Sequence, residues 1–179
     1  MGHLSHRIMP RLGKAFFLFC LAAVALAQES SIPTPQAPGA NLAQMAHITL
    51  TINQKTKLKT YLALTLEQQT LGLSNIKDEQ FSRQEAMLFV YSEVGPRRFW
   101  MKQTFFDLDI LFLDEQGKIT AMALGMEAHP GADPRFIPTT PAYKAQYVLE
   151  TKAGIFAWRV GQELLTTPQR KFLAKKLVP

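Results

Sequence analysis

Phe99-Trp-Met-Lys-Gln-Thr-Phe-Phe-Asp-Leu-Asp-Ile-Leu-Phe-Leu-Asp114 is the stretch whose reading decides the fold. Phe99-Trp100-Met101 is an apolar run closed by the polar Lys102 and Gln103, and Leu108 to Leu113 is apolar but for Asp109. Both runs are expected to form half-buried, neighbouring strands. Lys102, Asp107 and Asp109 interrupt the apolar residues. An unpaired charge is costly to bury, so each must find water, a partner or a site. Asp114-Glu115-Gln116-Gly117 then reads as a tight turn, with Gly117 supplying positive φ.

Working outward, Ile48-Leu50-Ile52 and Leu58-Leu62-Leu64 alternate with polar residues on either side of Asn53-Gln54-Lys55. That pattern predicts a hairpin. Thr65-Leu66-Glu67-Gln68 has the spacing of a helix capping box, and Gly72 marks the helix end. A single helical turn is expected around Asp78 to Phe81, and a strand from Met87 to Tyr91 before the Gly95-Pro96 break. Lys118 to Met122 is expected as the strand after the turn. Glu127 to Pro141, with five Pro or Gly residues, reads as a long loop of the kind that often forms a lid or rim. Ala145 to Glu150 is a further strand, Lys152 to Trp158 a short helix, and Gly161 to Leu165 a final strand. Thr167 and Pro168 open a basic tail helix as cap and first helical position.

Residues 1–27 have the three parts of a secretory signal. Arg7, Arg11 and Lys14 precede an apolar run from Ala15, and Ala25-Leu26-Ala27 is a small-residue cleavage site before Gln28. The apolar run is shorter than the roughly 20 residues that span a bilayer as a helix. Cleavage after Ala27 would remove Cys20, the only cysteine, and lower the formal charge from +6 to +3. The organisation expected is a signal peptide at 1–27, a Pro-rich linker at 28–45, a β domain at 46–166 and a basic tail helix at 167–179. The localisation expected is periplasmic or secreted, without stable membrane insertion after cleavage. Several short strands, two or three short helices and no regular βα alternation predict a mostly β domain, a sandwich or small closed barrel.

Trp100-Met101-Lys102-Gln103-Thr104 followed by Leu108-Asp109-Ile110-Leu111-Phe112-Leu113-Asp114 resembles the signature of the DUF192 (UPF0127) family. Leu71-Gly72-Leu73, Met87-Leu88-Phe89-Val90 and Tyr147-Val148-Leu149-Glu150 with Ala153-Gly154 match it in order. Three positions depart from the usual pattern: Gln103 where Asn is common, Asp107 where Pro is common, and Ser74 where Met is common. The resemblance implies a compact, jelly-roll-like, often exported β domain, and it implies no particular activity.

The chemistry expected is ligand recognition by a charged pair, Lys102 and Asp109, beside an aromatic wall headed by Trp100, with Gln103 and Thr104 as supporting polar groups. The ligand class is small and polar or anionic. The rival expectations are a hydrolase or isomerase with Asp109 as general base and Lys102 setting its pKa, and a purely structural domain. His47 and His129, the histidines left after cleavage, lack the spacing of a metal site, and neither a metal nor a cofactor is expected. No serine stands in a glycine-flanked nucleophile turn, and no glycine-rich phosphate loop is present. The basic residues cluster in the tail instead of interleaving with aromatics, so nucleic acid is not an expected partner. The domain is expected to act as a monomer.

Overall fold

The computed structural model describes residues 39–131 and 133–177. The signal peptide and most of the linker expected from the sequence lie outside them. The described chain forms six strands, β1 (His47–Ile52), β2 (Thr56–Ala63), β3 (Glu85–Arg97), β4 (Leu108–Leu113), β5 (Ile119–Met126) and β6 (Tyr143–Lys152), with helices α1 (Leu66–Leu71) and α2 (Thr167–Lys176). They make one mixed sheet in the order β1-β2-β3-β6-β4-β5. All pairings are antiparallel except β2 with β3, which α1 connects as a parallel crossover. The closed barrel considered from sequence does not form: β1 and β5 are the two edges and do not pair with each other. Helix-bearing segments cover the faces, so burial is achieved without closure.

Both faces of the sheet are apolar, and strand alternation sorts them. On one face Met87 and Phe89 of β3, Ile110 and Phe112 of β4 and Val148 of β6 pack with Leu73, Phe81, Phe99 and Met101 from the connecting segments. On the other, Leu88 and Val90, Leu111 and Leu113, and Leu149 pack with Trp158, Leu165 and Leu173 of α2. Fully burying a large apolar side chain stabilises by roughly 1.5–3 kcal/mol, so these two layers hold the sheet. Phe89, Phe99 and Phe112 meet edge-on, with ring centroids 4.7 and 5.9 Å apart, the geometry that the aromatic quadrupole favours.

Several local expectations are met. The first hairpin turns through Asn53 and Gln54, both at positive φ. The capping box of α1 closes as expected: Thr65 Oγ1 accepts from the Gln68 N–H at 3.2 Å, and Gln68 Oε1 accepts from the Thr65 N–H at 3.1 Å. A 3-10 turn occupies Asp78–Gln80.

Elsewhere the structure differs. β3 runs on through Gly95 and Pro96 to Arg97, with an irregularity between Val90 and Gly95 that restores its pairing with β6. The expected helix from Lys152 and strand from Gly161 are turns and a single bridge, Lys118 to Glu163. The tail helix is capped by Thr166, one residue before the expected Thr167.

Phe99–Gln103 is not a strand. Phe99 and Met101 are buried while Trp100 and Lys102 are exposed, so burial alternates as it would along a strand. The segment is a loop laid across the core that forms no continuous ladder, pairing with its neighbours at isolated bridges such as Trp100 to Thr139 and Lys102 to His129. Gln103, at φ +53°, turns it away from extended geometry.

Candidate functional site

The signature loop lies over the face of the sheet that carries Phe89, Ile110 and Val148. Its carbonyls at 102 to 104 are each anchored by a donor from another segment. Ser74 Oγ donates to the Lys102 carbonyl at 2.7 Å, the Asn75 N–H donates to the Gln103 carbonyl at 2.8 Å, and the His129 N–H donates to the Thr104 carbonyl at 2.9 Å. Asn75 and Gln103 both hold positive φ where they meet. Two left-handed non-glycine residues in contact store backbone strain that the surrounding anchors must hold.

Beneath this loop is Glu150. It sits in β6 between Met87 of β3 and Ile110 of β4, both apolar and both on the same face. The residue is 4 % exposed, and its Oε2 is buried with no hydrogen-bond partner. Burial pushes its pKa up to about 8, because a carboxylate cannot keep its hydration there. At neutral pH the group is therefore mostly the neutral acid, able to donate one hydrogen bond and accept others.

Glu150 lines a narrow hollow of about 20 Å³, together with Gly72, Leu73, Ser74, Trp100 and Thr104 among others. That volume admits one small group. Gly72 makes the roof possible. It holds φ +50°, and a Cβ there would stand 3.2 Å from Phe89 Cζ and 4.0 Å from Glu150 Oε2, narrowing the space. Outside the hollow, Gln69, Thr70, Phe99 and Trp100 continue into an open groove of about 390 Å³ that also meets Tyr91, Arg98 and Thr139. Trp100 is half exposed there.

The residues singled out from sequence separate into two places. Trp100 and Thr104 line the hollow. Lys102 is exposed, with Nζ 5.8 Å from the centre of the Trp100 ring. Gln103 lies behind the loop, its side-chain oxygen 3.4 Å from Asn75 Nδ2.

Asp109 is elsewhere. Alternation along β4 turns it to the face opposite Leu108 and Ile110, and its two oxygens accept from the N–H groups of Gly125 and Gly154 at 3.0 and 3.1 Å. It is buried, hydrogen-bonded and makes no ion pair with Lys102 among the described residues. The arrangement ties the β5 edge and the turn after β6 to β4, so Asp109 has the geometry of a structural clamp. Sequence reasoning passed over Glu150, although the signal was there: a carboxyl closing the apolar run Tyr147-Val148-Leu149. Among the described residues, no group of three His, Cys, Asp or Glu side chains is placed to hold a metal ion.

A single mixed sheet with an unpaired acid under a strained loop is thus the class of domain that the fold and site define. The model of DUF192, an uncharacterised family, matches residues 48–164, and the chain belongs to this family. No curated protein matches the chain. Among solved structures, a protein of unknown function from Novosphingobium aromaticivorans is similar over 66% of this chain and 81% of its own, at 22% identity and a TM-score of 0.50. A Sinorhizobium meliloti protein, provisionally described as a transcription regulator, is similar over 62% of this chain and 84% of its own, at 29% identity and a TM-score of 0.49.

Proposed function

We propose that this chain is an exported binding module of the cell envelope that takes a small polar ligand into the hollow above Glu150. The secretory pattern of residues 1–27 and the Pro-rich tether after it support export. One observation carries the binding reading: a buried carboxyl oxygen without a partner borders a hollow that family-signature residues line. Leaving such a group unpaired costs about 1–3 kcal/mol, and a ligand hydroxyl, amide or amine reaching it recovers that cost.

The test is thermal unfolding of the purified chain and of Glu150→Met against a library of polar metabolites and glycans. At least one compound should raise the Tm of the wild type and leave Glu150→Met unmoved. A library that stabilises neither protein, or both alike, would overturn the reading.

A second reading, an enzyme, is favoured by the same acid's raised pKa, since a proton donor works best when it titrates near the operating pH. Here Glu150 rather than Asp109 is the candidate proton donor. Glu150→Gln separates the two readings. It keeps hydrogen-bonding capacity but no exchangeable acid proton, so binding persists in both cases and turnover is lost only if an enzyme.

A further inference from the structure

We infer that the ligand is an acidic saccharide, with one sugar ring lying against Trp100, a hydroxyl entering the hollow to Glu150, and the acidic group held by Arg98 and Lys102. The inference rests on the binding reading above and names its ligand class.

The size of the hollow sets the first constraint. At about 20 Å³ it admits a single hydroxyl-sized group, so most of any ligand stays outside. What lies outside is the open groove, and its most prominent surface is the half-exposed indole of Trp100. A soluble domain gains little by presenting an indole to water at the mouth of a cavity. The negative π face does attract the weakly positive C–H hydrogens on the flat side of a pyranose ring. Gln69, Thr70 and Thr139 surround that surface with neutral donors and acceptors suited to sugar hydroxyls.

Charge supplies the second constraint. Arg98 borders the groove, Lys102 Nζ stands 5.8 Å from the Trp100 ring centre, and no carboxylate lines the groove. The rim is thus cationic around a hollow whose own acid is unpaired. A neutral sugar would leave both cations idle, and a polyamine would meet like charge at the rim. A uronic, sialic or phosphorylated sugar satisfies the rim, the indole and the buried acid together. A planar guanidinium is well shaped to hold a carboxylate or phosphate with paired hydrogen bonds.

An array of acidic saccharides, each beside its neutral counterpart, should show the purified chain binding acidic members selectively. Titration of the best binder, followed by isothermal calorimetry, then tests the residues. Trp100→Ala should weaken binding at least tenfold while leaving unfolding unchanged, because Trp100 is half exposed. Arg98→Gln should reduce the preference for the acidic over the neutral sugar severalfold and flatten the dependence on salt. No saccharide binding, equal binding of the neutral partners, or indifference to Trp100→Ala would each overturn the inference. Its failure is distinguishable from that of the binding reading. Non-saccharide metabolites that stabilise the wild type but not Glu150→Met would leave the hollow a binding site and remove the saccharide.

Discussion

Asp109 and Glu150 are both buried carboxyls on paired strands, and they have opposite situations. Asp109 turns to one face of the sheet and accepts from two backbone N–H groups, Gly125 and Gly154. Glu150 turns to the other, between Met87 and Ile110, with Oε2 unpartnered. Burial alone therefore says little about role. A buried acid whose lone pairs are met by the backbone holds a fold together, whereas one left unmet costs stability and is explained by something it does.

The largest expected effect comes from titrating the contrast. Glu150 has a folded-state pKa of about 8, raised by burial above the ordinary carboxyl value. The folded protein therefore binds more protons than the unfolded chain between these values. Stability should be fully present below about pH 4, fall as pH rises, and level off once pH passes the folded pKa. The total loss of this group's contribution should be on the order of 5 kcal/mol. Urea unfolding at pH 5, 7 and 9 measures it, and Glu150→Gln should flatten the profile. A profile of equal slope in that variant would mean that another group is responsible and that the two acids differ less than their geometry suggests.

Removing the satisfied acid should cost nearly as much. Asp109→Ala leaves the Gly125 and Gly154 N–H groups without their acceptor and opens a small void, a loss of about 3 kcal/mol in denaturant unfolding at pH 7. The same measurement on Glu150→Met should move the other way, by about 1–2 kcal/mol, because an apolar side chain of similar volume suits that position better than an unpaired acid. Opposite signs would sharpen the comparison. Two losses of equal size would break it, by showing that Glu150 has a partner in solution.

Much of this architecture is legible in the chain. The capping box at Thr65 and Gln68 and the two-faced apolar run of β4 follow from short-range rules and survive folding unchanged. The parallel pairing of β2 with β3 is not legible, because alternation fixes which face a residue takes but not which strand lies beside it. Phe99–Gln103 misleads for a related reason: a loop laid across the core needs buried apolar residues just as a strand does. The site was half legible. Charged residues inside apolar runs mark both Asp109 and Glu150, yet only the fold reveals which of them meets backbone donors. Gly125 and Gly154, remote in sequence from Asp109 and from each other, decide it.

The smallest effect concerns the loop that roofs Glu150. Asp109's face is tied by direct hydrogen bonds, and this loop is too, but it also needs Gln103 and Asn75 held at φ +53° and +61°. A left-handed conformation costs an ordinary residue about 1–2 kcal/mol, and Asn bears it more readily than Gln because its short amide can bond locally. Gln103→Asn should therefore stabilise the chain by about 0.5 kcal/mol, after the loss of the long 3.4 Å contact between Asn75 Nδ2 and Gln103 Oε1 is offset. Gln103→Val, β-branched and least tolerant of positive φ, should destabilise by about 2 kcal/mol. Denaturant midpoints of the three proteins give the ranking Asn, Gln, Val. If Val proved as stable as Gln, the loop would not be strained at this residue, and the roof over Glu150 would owe its position to its hydrogen bonds, those of Ser74, His129 and the Met101 N–H to the Pro138 carbonyl among them.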